Sequence, residues 1–320
     1  MVVTRFAPSP TGDLHLGGAW TALASHALGG RRILRIEDID EPRVVSGSQE
    51  RIVSDLRWLG LHWDLGPEDP TTVQSARKPL YRDALDRLRA QGLVYPCDCS
   101  RAEIARIASA PHAGEDLVYP GTCRNLPHDR AFRRAPALRL AVPPGTVERF
   151  HDEGGGGGVV SQHVGRDVGD FVLQRGDGLF SYQLAVAVDD ATMGVTHVVR
   201  GRDLLASTPR QLLLMRLLGL RAPSTYIHLP LVVDAAGERL AKRTRGARVR
   251  ALRDAGISPE EVVGVLAFGL GLTADTTPMT PDALATRCAD LAGPLPWARA
   301  PFRIPERWAA LDANDEQEMP

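Results

Sequence analysis

Residues 5–18, RFAPSPTGDLHLGG, place two prolines and three glycines between two apolar stretches. Val2 to Phe6 predicts a short strand, and Pro8, Pro10 and Gly12 supply the turn after it. From Leu14 onward the apolar period changes. Leu16, Ala19, Trp20, Leu23, Ala24 and Ala27 recur at three- and four-residue spacing, the mark of a helix with one buried face, and Gly29-Gly30 ends it. Ile33 to Ile36 then predicts a buried strand running into the acidic Glu37-Asp38-Ile39-Asp40. Strand, glycine-rich turn, helix and strand make a βαβ unit, so the chain is predicted to be α/β with a parallel sheet.

Such a turn suits a phosphate. Backbone N–H groups at a helix start point outward, and the helix dipole favours negative charge there. Gly17 and Gly18 allow close approach to the backbone, and His15 can donate to phosphate oxygens as charge develops on them. Neither the dinucleotide pattern GxGxxG nor the Walker Lys-Ser/Thr pair is present, so both of those readings fall. On spacing alone, a structural turn carrying a surface histidine accounts equally well for the stretch. A second polar, basic loop, Gly237 to Thr244 (GERLAKRT), follows the apolar Leu229 to Val233 and could neutralise a triphosphate through a lysine.

The remaining pattern is coarser. Ile52, Val53, Leu56 and Leu59 form one helical stripe ended by Gly60, and Leu80, Ala84, Leu85 and Leu88 form another between Pro79 and Gly92. Residues 93 to 185 hold three of the four cysteines and the run Gly154 to Gly158, and read as an insertion with a small fold of its own, the glycine run being too flexible for core. Val195 to Val199 predicts a returning core strand, and Thr208-Pro209 opens the helix Leu212 to Leu218. Ser258-Pro259-Glu260-Glu261 is a capping box, and the chain beyond it is predicted helical. With 38 basic and 39 acidic residues no polybasic footprint marks non-specific nucleic-acid binding, although a local basic face remains compatible with a specific RNA. The start lacks the features of a secretory signal and no run of about 18 apolar residues suggests a span. A cytoplasmic protein that does not enter the membrane is the expectation. Cys97-Asp98-Cys99 with Cys123 suggests a structural zinc knob short of one ligand, with Tyr119, His112 and His128 as nearby candidates; reduced cysteines packed in a small core are the alternative. Cys288, far away, is expected to be buried and inert.

Taken together, the opening stretch and the basic loop resemble class I aminoacyl-tRNA synthetases, and within them the glutamyl/glutaminyl branch. His15-Leu16-Gly17-Gly18 stands in place of the signature HIGH, and RLAKR (239–243) in place of the KMSKS loop. LRIEDID (34–40), GDGLFSYQLAVAVDD (176–190) and THVVRGRDLLASTPRQ (196–211) are similar to core segments of that branch and occur in the same order. The resemblance implies a Rossmann-like parallel-sheet catalytic domain in two halves, residues 1–92 and 186–257, an inserted acceptor-type subdomain over 93–185 with a zinc site, and a helical region over 258–320.

It further implies that Arg5, Ala7, Ser9, Glu37, Tyr182 and Arg200 bind glutamate, with Arg5 and Arg200 on its carboxylates and Glu37 on its ammonium. His15, Gly17, Gly18 and Lys242 would bind ATP, His15 and Lys242 acting catalytically and Mg2+ accompanying the nucleotide. Cys97, Cys99, Tyr119 and Cys123 would hold Zn2+. Arg239, Ala241 and Arg243 depart from the loop signature, and Trp20 stands where the branch often has arginine. Residues 243 to 320 are too few for the anticodon-binding domain of a full glutamyl-tRNA synthetase. In this the chain resembles glutamyl-Q tRNA(Asp) synthetases, which attach glutamate to the queuosine base in the anticodon of tRNA(Asp). The implied partners are L-glutamate and that tRNA, and the implied state a monomer. A truncated or discriminating glutamyl-tRNA synthetase charging a 3′ end is the second reading, and a non-catalytic RNA-binding paralogue the third.

Overall fold

The expected βαβ start forms in the computed structural model, which describes residues 1–107, 118–233, 237, 248–309 and 311. Strand β1 (Val3–Phe6), helix α1 (Leu16–Ala27) and strand β2 (Arg31–Leu34) follow one another, and β1 pairs with β2 in parallel, Val3 opposite Arg31. Next come α2 (Ser48–Trp58), α3 (Lys78–Ala90), β3 (Val94–Cys97), α4 (Arg101–Ile107), β4 (Ala137–Leu140), β5 (Val147–Asp152), β6 (Gly158–His163), α5 (Val164–Asp167) and β7 (Val172–Gln174). The second half supplies α6 (Tyr182–Thr192), β8 (His197–Gly201), α7 (Ser207–Leu217), β9 (Thr225–Leu229), β10 (Val232–Val233), α8 (Val249–Asp254), α9 (Pro259–Gly269), α10 (Pro281–Ala289), β11 (Phe302–Arg303) and α11 (Glu306–Ala309). Among the described residues no helix is long and apolar enough to cross a membrane.

The main sheet has six strands in the order β2-β1-β8-β9-β5-β6. All pairs are parallel except β5 with β6, so the sheet is mixed at one edge. Two of its strands come from the stretch 93–185, which therefore does not form a separate body throughout. Only β3-β4-β7 make a small sheet of their own, and its apolar residues Val94, Leu140 and Leu173 share one core with α3, α6 and α7. A larger core lies between α1, α9, α10 and the sheet face carrying Leu34, Val199 and Ile227.

Two expectations need correcting. The glycine run is not a flexible excursion: Gly154 and Gly155 are buried. A Cβ on Gly154 would sit 2.4 Å from the carbonyl oxygen of His228, so only glycine lets this turn lie against β9. The C-terminal stretch is not wholly helical either, because Phe302–Arg303 pairs in parallel with Val232–Val233. Trp20 belongs to that contact; it is buried and stacks on Phe302 with ring centroids 5.0 Å apart.

One buried histidine tunes stability. His26, near the end of α1, is 2% exposed, and its Nε2 lies 2.9 Å from Asp282 Oδ1 in the first turn of α10. Burial lowers its pKa from 6.5 to about 4; the bond to Asp282 opposes the shift, and the charges of Arg32 and His62 add to it. Between those values the folded ring stays neutral while the unfolded one binds a proton, so stability falls as the pH drops through that window. Denaturant unfolding should show wild-type protein losing about 2 kcal/mol more than a His26→Gln variant between pH 7 and pH 5.

Candidate active site

Four strands carry the site, and they do so by a period of two. Val3, Phe150, Val198 and Tyr226 form one apolar cluster. Two residues further along the same strands stand Arg5, Asp152, Arg200 and His228, buried to 5% exposure or less. Alternation puts each pair on the same sheet face, so this face turns from apolar to charged at the C-terminal edge of its parallel strands. That edge is where open α/β sheets bind ligands.

Beneath it lies a network of buried ions. Arg35, fully buried just after β2, donates from Nη1 to Asp190 Oδ1 at 2.7 Å and from Nη2 to Glu37 Oε1 at 2.9 Å. Arg5 Nε donates to the same Asp190 oxygen at 3.2 Å, and its Nη1 to the carbonyl of Val199 at 3.1 Å. Burial works to raise the Asp190 pKa, but Arg5 and Arg35 outweigh it and hold the carboxyl below its usual range. For Glu37 burial prevails over Arg35, and its pKa is raised. Next to Asp190, Asp189 accepts from Arg77 at 2.6 Å, Tyr81 at 2.9 Å and Gln74 at 2.8 Å. Among the described residues neither Arg5 Nη2, with its two hydrogens, nor Glu37 Oε2 has a hydrogen-bond partner, so donors and an acceptor remain at this edge.

Arg200 is braced from three directions. Nη1 donates to Gln211 Oε1 at 2.9 Å and to the Tyr182 hydroxyl at 3.4 Å; Nη2 donates to Thr208 Oγ1 at 2.7 Å; Nε donates to His228 Nε2 at 3.1 Å. The Tyr182 pKa is raised by burial, with Arg200, Glu37, Arg5 and Asp190 all close enough to act on it. The structure thus brings Arg5, Glu37, Tyr182 and Arg200 into one electrostatic neighbourhood. Ala7 is half-buried and Ser9 exposed on the turn after β1, the Ser9 carbonyl accepting from Thr11 N.

His15 caps α1. Its Nδ1 accepts from the backbone N–H of Gly18 at 3.2 Å, so the proton of the neutral ring sits on Nε2, and the side chain is exposed at the helix start. A Cβ on Gly18 would meet Leu14 Cδ1 at 2.7 Å, and one on Gly17 would meet the His15 ring at 3.1 Å. Side chains at either glycine would crowd Leu14 and the capping ring. Lys242 lies outside the described residues, as do Arg239, Ala241 and Arg243. The chain re-enters at Arg248, which bridges to His15, while Val249 N donates to Leu14 O at 2.9 Å. The segment that follows the basic loop is thus fastened to the first signature.

Cys97, Cys99 and Cys123 converge beside Tyr119. Tyr119 Oη lies 3.3 Å from Cys97 Sγ and 3.7 Å from Cys99 Sγ, and Cys99 Sγ lies 3.6 Å from Cys123 Sγ. These separations fit a tetrahedral thiolate site, whose ligand atoms stand about 3.8 Å apart. Burial, then the neighbouring thiols, keep the proton on Tyr119, so ligation by the phenol needs the charge of the metal to displace it. His128 is exposed and outside this group, and His112 lies outside the described residues. Cys288 is buried and apart, as expected. A second cluster, His26, His62 and Asp282, also has the right spread, but Arg32 Nη1 lies 3.0 Å from His26 Nε2 and 3.9 Å from Asp282. The guanidinium occupies the place a cation would take.

Sequence reasoning missed Arg35, Asp190, Gln211, Thr208, His228 and Asp152. Arg35, Asp190, Thr208 and Gln211 lie inside the motifs that carried the resemblance, whereas His228 and Asp152 carry no local signal; only the strand period, two residues past an apolar position, points to them.

The sheet with its ligand edge, the capped helix and the segment from Arg248 fastened to it go with a class I synthetase catalytic domain, and residues 1–283 match the family described as tRNA synthetases class I (E and Q), catalytic domain. A solved glutamate-tRNA synthetase from Elizabethkingia anophelis superposes with a TM-score of 0.77 at 26% identity, over 99% of this chain and 71% of that one. The glutamyl-Q tRNA(Asp) synthetase of Symbiobacterium thermophilum is 50% identical over 98% of this chain and 99% of its own length. That of Nitratidesulfovibrio vulgaris is 48% identical over 88% and 90%. The chain belongs to the class I E and Q synthetases, and within them to the glutamyl-Q tRNA(Asp) synthetase family.

The ion network should dominate stability. Replacing Arg35 by Met leaves Asp190 and Glu37 short of a countercharge and should cost about 3–5 kcal/mol, measured as the loss in denaturant unfolding free energy at pH 7.5.

Proposed function

We propose that this chain activates L-glutamate with ATP and transfers it to the queuosine base of tRNA(Asp), as a cytoplasmic monomer. The observation that carries the reading is the charged sheet edge: two arginines and one carboxylate set around one site, in a chain about half identical to proteins of that name. Arg200 takes the side-chain carboxylate, Arg5 the α-carboxylate and Glu37 the ammonium, with Tyr182, Ala7 and Ser9 lining the site. The α-carboxylate attacks the α-phosphate of ATP, pyrophosphate leaves with its Mg2+, and glutamyl-adenylate results. A hydroxyl of the queuosine base then attacks the activated carbonyl, and AMP leaves. No covalent enzyme nucleophile is needed. Positioning and charge stabilisation suffice: His15 Nε2–H, the α1 N-terminus with Gly17 and Gly18, and Lys242 meet the phosphates.

The division into catalytic halves 1–92 and 186–257, an insertion 93–185 and a C-terminal region 258–320 goes with this reading. So does Zn2+ at Cys97, Cys99, Tyr119 and Cys123, where it would tie the end of β3 to residues 119–123 and supply structure only. Their ligand-atom spacing supports it.

Incubation with ATP, labelled glutamate and tRNA that contains or lacks queuosine tests the acceptor. Label should appear on the anticodon fragment and only with queuosine; label on the terminal adenosine would return the chain to tRNA charging. His15→Ala should lower glutamate-dependent pyrophosphate exchange by about 100-fold or more, while loss of the α1 cap lowers the unfolding free energy by only about 1 kcal/mol. For the metal, purified protein should carry about one zinc per chain, and Cys99→Ser or a strong chelator should release it and lower the thermal midpoint.

A further inference from the structure

Arg200 is also held by His228, which with Asp152 lies outside every motif. An arginine Nε always carries its proton and can only donate. His228 Nε2, 3.1 Å from it, must therefore present a lone pair, and the ring proton must sit on Nδ1. Nδ1 lies 3.2 Å from Asp152 Oδ1, which also accepts the backbone N–H of His228 at 3.0 Å. Thr208 Oγ1, which accepts from Arg200 Nη2, stands 3.1 Å from the same Nε2. His228 is fully buried, and the sheet register places Arg200 directly opposite it, with Asp152 on the next strand. Carboxylate, imidazole and guanidinium thus run across β5, β9 and β8 in one line. Behind the line, Gly154 packs against the His228 backbone and donates to Asp152 Oδ1 at 3.3 Å.

We propose that Asp152 and His228 are positioning residues for glutamate recognition: Asp152 fixes the tautomer and orientation of His228, and His228 fixes the plane of the Arg200 guanidinium. This rests on the reading of Arg200 as the group that takes the substrate side-chain carboxylate. A charge-assisted N–H···O bond to a carboxylate is directional and lies in the guanidinium plane, so that plane decides where the remaining hydrogen of Arg200 points. Nε, Nη1 and one Nη2 hydrogen are committed to protein partners, and among the described residues the second Nη2 hydrogen has none. With the plane lost, the same charge remains in the site but the directed bond does not. The consequence falls on glutamate binding and leaves ATP binding alone.

Two polar replacements separate the halves of the ring. In His228→Asn the amide replaces the Nδ1 side, keeping a donor for Asp152 and losing the acceptor for Arg200. In His228→Gln a carbonyl reaches the Nε2 position and keeps that acceptor. Glutamate-dependent pyrophosphate exchange should give a KM for glutamate raised about tenfold or more in His228→Asn, with KM for ATP unchanged. His228→Gln should restore most of the loss, and Asp152→Ala should behave like His228→Asn. Equal values for the two His228 variants, or a KM for ATP rising in step with that for glutamate, would overturn the proposal. Arg200→Met, measured alongside, keeps the two failures apart. If it leaves the KM for glutamate unchanged, the role of Arg200 falls and the inference with it. If it raises that KM while His228→Asn does not, the positioning role alone falls. Where His228→Asn does not fold, Asp152→Ala decides in its place.

Discussion

The bond between Arg35 and Asp190 is the constraint on which the site depends. It joins the end of β2 to α6 in a fully buried setting, where neither charge could remain alone. Because Asp190 also takes Arg5, and Arg35 also takes Glu37, four charges settle into one alternating chain. Two members then offer unused donors and an acceptor to a ligand. The candidate site is in this sense the outer edge of a structural ion network, and its groups are already desolvated and aligned.

Much of the fold was readable because its elements follow simple periods. The strand at residues 3–6, the helix from Leu16 and the capping box at Ser258 lie where apolar spacing, glycines and prolines place them. The βαβ handshake implied the parallel sheet. What spacing did not reveal was partnership. Nothing in the sequence around residues 147–163 says that β5 and β6 extend the main sheet, because that depends on which edge they meet. Phe302–Arg303 falls in a stretch predicted helical, and becomes a strand because β10 supplies its partner.

The site divides along the same line. His15, Arg5, Glu37 and Arg200 lie in motifs whose order identifies the branch, and the fold brings Arg5, Glu37 and Arg200 together around Tyr182. His228 and Asp152 sit on strands that look purely structural. Their polarity becomes meaningful only when the register sets Arg200 opposite His228. The glycine tract is a related case: a composition that suggests freedom is used for closeness, since the turn presses onto β9 where no side chain fits.

The distance in sequence between these partners also bears on how the protein is made. Arg35 and Asp190 are separated by 155 residues, and β1 meets β8 only after the chain has passed through the whole of 93–185. Closing so long a loop costs little more stability than closing a short one, since each doubling adds about 0.6 kcal/mol. The delay is the larger effect. At roughly 5–20 residues per second, ribosomal synthesis leaves Arg5, Arg35 and Glu37 without Asp190 for about 8–30 seconds. During that interval one edge of β1 is open and can pair with another chain. The nascent chain thus carries an unfinished binding site and an unfinished sheet at once: Asp190 closes the ion network, β8 then brings Arg200, and β9 arrives last to join β8 to β5.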